Sequence, residues 1–75
     1  MTIDWIDVSD SDRVIAVAYD AEQEIIYARF KRDAVEWWYG SCPPHIWEQF
    51  TAPGTSKGRF IHQELNNHPN GRYAG

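Results

Sequence analysis

RVIAVAYDAEQEIIYARFKRDAVEWWY, residues 13–39, is the stretch that decides the fold. Arg13 to Tyr19 is a run of β-branched and aromatic residues too short for a lone helix, and Asp20-Ala21-Glu22-Gln23 bounds it with residues that suit a turn. Glu24 to Phe30 repeats the pattern, Lys31-Arg32-Asp33 makes a polar reversal, and Ala34 to Tyr39 is a third run. Three runs joined by short polar links predict an antiparallel meander. Alternation assigns Ile15, Val17 and Tyr19, then Ile26, Ala28 and Phe30, then Val35, Trp37 and Tyr39 to the core face.

Beyond this stretch the period changes. Pro43-Pro44 suits a helix start, and Ile46, Trp47 and Phe50 fall on one helical face. Ala52-Pro53-Gly54 interrupts it, after which Thr55 or Ser56 caps a second helix carrying Phe60, Ile61, Glu64 and Leu65 at helical spacing. Asn66-Asn67 and Pro69-Asn70-Gly71 end that helix. The predicted architecture is α+β, a three-stranded antiparallel β-meander followed by two helices packed on one face, in the order βββαα. Residues 1–10, rich in Asp and Ser with only Ile3, Trp5 and Ile6 as anchors, read as an arm; 11–67 form the domain and 68–75 a flexible tail.

Size and charge narrow the function. A chain of 75 residues makes one core and buries only about 60% of its unfolded surface, so four Trp, four Tyr and three Phe carry much of the stability. Cys42 is the lone cysteine, which excludes an internal disulfide and favours a reducing, cytoplasmic setting. No stretch approaches the roughly 20 apolar residues of a membrane span, and no basic and apolar leader opens the sequence. The net charge of −4 works against non-specific phosphate binding, so any nucleic-acid site must be local.

The sequence resembles the KTSC domain, a short module found at the C-terminus of some lysyl-tRNA synthetases and as a free-standing protein in bacteria and their phages. The resemblance runs from about Ser11 to Leu65 and rests on Ser11, Val17-Ala18-Tyr19-Asp20, Ile26, Ala28, Phe30, the Trp37 and Tyr39 pair, Pro43, Ile46-Trp47, Phe50, Ser56-Lys57-Gly58, Phe60 and Leu65. Trp37 stands where the family has the first of two tyrosines, and His62 where it often has asparagine. The resemblance implies the βββαα fold and, through the synthetase attachment, an RNA-binding role.

Two constellations suit binding. Helices cover one sheet face, which leaves Ile25, Tyr27, Arg29 and Trp38 together on the other as an aromatic and basic patch on which bases stack. The plainer reading is that the Ile3-Trp5-Ile6 arm, or a second copy of the chain, covers this face. Ser56, Lys57, Gly58 and Arg59, at a helix start, suit a phosphate or carboxylate; the plainer reading is a capped helix with solvated cations.

Catalysis and metal binding find no such support. Cys42 and His45 have ligand-like spacing, with His62 and His68 elsewhere, but two prolines separate the first pair and no second cysteine exists. No G-x-S-x-G or similar pattern sets up a nucleophile. The expectation is a non-catalytic module without cofactor, metal or membrane contact, a monomer or weak homodimer that binds RNA or tRNA through Tyr27, Arg29 and Trp38. The alternatives are a protein-interaction or regulatory accessory protein using the same face, and a nucleotide binder at the Ser56-Lys57-Gly58 helix start.

Overall fold

In the computed structural model, which describes residues 3–73, the elements are β1 (Ile6–Asp7), β2 (Val14–Asp20), β3 (Ile25–Phe30), β4 (Glu36–Tyr39), α1 (Pro44–Phe50), α2 (Lys57–Gln63) and β5 (Asn70–Arg72). Two single 3₁₀ turns, Arg32–Ala34 and Leu65–Asn67, complete the path. Side chains and backbone angles at the reversals explain it. Ser11 Oγ accepts from the amides of Arg13 (3.3 Å) and Val14 (3.1 Å) and so starts β2. Asp20 Oδ1 accepts from the amides of Glu22 (3.0 Å) and Gln23 (3.1 Å), and Glu24 takes a φ of 57°, so β2 folds back as β3. Asp33 and Ala34 both adopt the left-handed region, with φ of 59° and 52°, and turn β3 into β4.

The result is α+β with five antiparallel strands in the order β1-β2-β3-β4-β5, where the sequence reading expects three. The additional strands come from the expected arm and tail. Ile6 pairs with Val17 and Asp7 with Ala16, while Arg72, Gly71 and Asn70 pair with Trp37, Trp38 and Tyr39. Both segments are too short for alternation to mark them as strands; each forms because an edge strand offers unpaired backbone groups. Residues 1, 2, 74 and 75 of the expected arm and tail lie outside the described residues.

The core lies between the sheet and the helices. It contains Val14, Val17, Ile26, Ala28, Tyr39, Cys42, Phe50, Ile61 and Leu65, with Tyr19, Phe30, Trp37, Ile46, Trp47 and Phe60 packed against it. Two core assignments change: Val35 is half-buried outside the core, and Ile15 gives way to Val14. Val14 pairs with Phe30 but Ala16 with Arg29, so a bulge at Ile15 turns Val14 inward in its place. Ala16 and Ala18, also buried, lie beneath the far face. The second helix stops at Gln63, and Leu65 reaches the core from the following 3₁₀ turn. Tyr19 stacks on Trp47 with centroids 5.3 Å apart, and its hydroxyl donates to the Cys42 carbonyl at 2.7 Å, which ties α1 to β2. No helix among the described residues is long and apolar enough to cross a membrane.

Candidate functional site

Register places Tyr27, Arg29 and Trp38 on the sheet face away from the helices, because Tyr27 pairs with Trp38 and Arg29 with Glu36. The chain's own residues then occupy this face. Trp5 meets Tyr27 edge-on at 6.3 Å, and its ring lies 4.4 Å from the Arg29 guanidinium carbon. Tyr73 meets Tyr27 from the other side at 4.9 Å. Both Nε and Nη2 of Arg29 donate to Glu36 Oε2 at 2.8 Å. The Trp38 indole lies over β5, so close that a Cβ on Gly71 would sit 3.0 Å from Trp38 Nε1. Burial, then Tyr73 and Asp20, push the Tyr27 pKa above its ordinary value. Each ring and the guanidinium thus already has an intramolecular partner.

The helix start is similarly engaged. Ser56 caps α2, its Oγ accepting from the Arg59 amide at 3.4 Å. The aliphatic stem of Arg13 packs over Gly58, with Cδ 3.0 Å from where a Cβ would stand. Lys57 is only 11% exposed and reaches Asp10 Oδ1 at 3.8 Å. Arg59 is exposed.

Two grooves on the helix side share Asp12 and Arg13. The first runs past Asp10, Ser11 and the 54–59 segment to His62 and Gln63. The second has an apolar floor of Phe30, Val35, Trp37, Tyr39 and Ile61, with Arg13, Lys31, Arg32 and Asp33 around it. Together they bring Lys31 and Arg32 alongside Arg13, Lys57 and Arg59. Five cations against Asp10, Asp12 and Asp33 make this strip net +2, which leaves −6 for the remainder of a chain whose net charge is −4. Sequence reasoning missed Arg13, Phe30, Trp37 and Tyr39 as groove residues. Alternation marks Phe30, Trp37 and Tyr39 as core, and nothing in the sequence says that Arg13 adjoins them.

Tyr39 combines burial with an unmatched polar group. It is 2% exposed, and burial pushes its pKa up to about 12. Its hydroxyl has no hydrogen-bond partner among the described residues, and the residue lines the second groove. Trp37 Nε1 donates to Asn70 Oδ1 at 3.0 Å, which fixes the indole at the groove wall.

Cys42 and His68 do come together, with Sγ 3.7 Å from Nδ1, but both face backbone carbonyls: Cys42 that of Gly40, and His68 those of Gly40 and Ser41. Burial raises the Cys42 thiol pKa. Among the described residues no three His, Cys, Asp or Glu side chains gather as a metal site.

No family model matches the sequence, and no curated protein matches it. The structure is similar to the crystal structure of a KTSC domain protein from Yersinia pestis, with a TM-score of 0.84 over 97% of this chain and 100% of that one. The fold is that of a KTSC domain protein. At 20% identity the likeness shows the KTSC fold alone.

Proposed function

We propose that the chain is a KTSC-family binding module of the cytoplasm that acts without catalysis and holds single-stranded RNA, such as the unpaired segments of a tRNA, along the two helix-side grooves. The observation that supports this most is where the unpaired positive charge lies. Of seven Lys and Arg residues, Arg29 is bound to Glu36 on the far face and Lys57 to Asp10. Arg13, Lys31, Arg32 and Arg59 have no ion pair among the described residues and line the grooves, while Arg72 pairs in register with Trp37 on the same side. Cations without carboxylate partners give phosphate affinity, and Trp37 and Phe30 add aromatic surface to the same groove. This moves the RNA contact from Tyr27, Arg29 and Trp38 to the opposite side of the sheet. A protein partner gripped through the far-face aromatics has less support, since those rings pack on one another and Ile6 is the one exposed large hydrophobic among the described residues.

Fluorescence anisotropy with single-stranded RNA and bulk tRNA tests the reading. Four phosphate contacts give a slope of log affinity against log salt near roughly −3. Arg13→Ala flattens the slope by roughly one contact's share. The absence of saturable binding at low salt refutes the proposal.

A further inference from the structure

We infer that the groove floored by Tyr39 is a pocket for one nucleoside phosphate, with the base in the cleft against Trp37 and the phosphate at the Arg13 and Arg32 rim. The inference rests on the RNA reading of this groove and names what the groove takes. The ligand chemistry is the same whether the nucleotide is free or belongs to an RNA strand.

Size, shape and polarity agree on this ligand. The cavity is ≈ 650 Å³, within the roughly 300–1,000 Å³ of small-molecule sites. Its lining includes the Trp37 side chain and the apolar side chains of Phe30, Val35 and Ile61. Two of its lining residues carry polar groups with no hydrogen bond among the described residues. One is the Tyr39 hydroxyl, able to donate and accept; the other is the side-chain amide of Asn66. Asn70 is engaged, accepting from Trp37 and donating through Nδ2 to the His68 carbonyl at 2.8 Å. A heteroaromatic base covers the apolar walls and offers its edge to Tyr39 and Asn66. An aliphatic acid leaves the hydroxyl unmatched, and a bare phosphate leaves the walls wet.

The rim selects for one phosphate. Arg13, Lys31 and Arg32 face Asp12 and Asp33, so the lining is net +1, too little for a polyphosphate. Asp33 and Ala34 hold their left-handed backbone against its steric cost, and such strain collects at binding sites. The Phe30 amide closes this loop on the Val35 carbonyl at 2.8 Å, which holds Lys31 and Arg32 at the groove mouth.

The test is an NMR titration of the ¹⁵N-labelled protein with each of the four nucleoside 5′-monophosphates, followed at the four indole N–H signals. At least one nucleotide shifts the Trp37 signal saturably, while inorganic phosphate at equal concentration does not. Tyr39→Phe removes only the unpartnered hydroxyl and weakens binding roughly five- to tenfold. Asn66→Ala, at an exposed position that leaves the fold intact, weakens it at least about twofold. A Trp37 signal unmoved by all four nucleotides, or equal to the phosphate response, overturns the pocket; so do unchanged affinities in both variants. Single-stranded RNA titrated in parallel separates the two readings. RNA binding with silent nucleotides refutes the pocket alone, and nucleotide binding without RNA binding supports the pocket as a free-nucleotide site and refutes the RNA reading.

Discussion

Trp5→Ala removes the residue that covers the far face of the sheet, and its cost follows from what the indole touches there. The edge-on pair with Tyr27 at 6.3 Å contributes about 0.5–1.5 kcal/mol beyond its area. The Arg29 guanidinium 4.4 Å from the ring adds about 0.5–1 kcal/mol. The half-buried apolar surface of the indole itself goes with them, so the sum is about 2 kcal/mol. In a domain of this length that lowers Tm by about 10 °C. Urea unfolding followed by far-UV circular dichroism measures the midpoint, and RNA anisotropy on the same protein measures function. The expected result is a lower midpoint with RNA affinity within about twofold of wild type, because Trp5 is on the side of the sheet away from the grooves. An unchanged midpoint refutes the packing of Trp5 on Tyr27 and Arg29 as a source of stability, and a fivefold loss of RNA affinity in the folded variant refutes the choice of face.

Three further outcomes are expected. Gly71→Ala puts a Cβ 3.0 Å from Trp38 Nε1, so the indole must shift by a few tenths of an ångström; the variant loses about 1 kcal/mol in urea unfolding. Tyr39 has a folded pKa of about 12 against an ordinary 10.0, so its neutral form is favoured by folding. The associated stability, up to about 3 kcal/mol, is fully present below pH 10 and is lost as pH rises towards 12; unfolding across that range shows the fall, and Tyr39→Phe flattens it. Arg29 and Glu36, with side chains 29% and 26% exposed, couple by no more than about 1 kcal/mol in a double-mutant cycle of Arg29→Met and Glu36→Gln.

The meander was legible because three short β-branched and aromatic runs are joined by polar reversals, Asp20-Ala21-Glu22-Gln23 and Lys31-Arg32-Asp33. The bulge was not. Val14, Ile15 and Ala16 are all apolar, and nothing in their order says which one is displaced until Lys31 donates to the Arg13 carbonyl at 2.7 Å and fixes the strand end. Asn70-Gly71-Arg72 reads as a turn by composition, yet it is a strand because β4 offers its free edge and because the missing side chain of Gly71 lets the Trp38 indole approach closely. The far-face residues were legible as a group but not their cover, since Trp5 and Tyr73 reach Tyr27 across 22 and 46 positions of chain. The grooves were hidden for a related reason. Arg13, Arg32 and Asn66 come together only once α2 is laid across the sheet.

The most direct test of RNA binding on the helix side uses the protein's tryptophans as reporters of face. Trp37 lies in the groove, whereas Trp5 and Trp38 lie on the far side of the sheet. With single-stranded RNA added to the ¹⁵N-labelled protein, the Trp37 indole N–H is expected to shift saturably while the Trp5 and Trp38 signals stay in place. Shifts at Trp5 and Trp38 with Trp37 unmoved contradict the helix-side site and return the contact to Tyr27, Arg29 and Trp38.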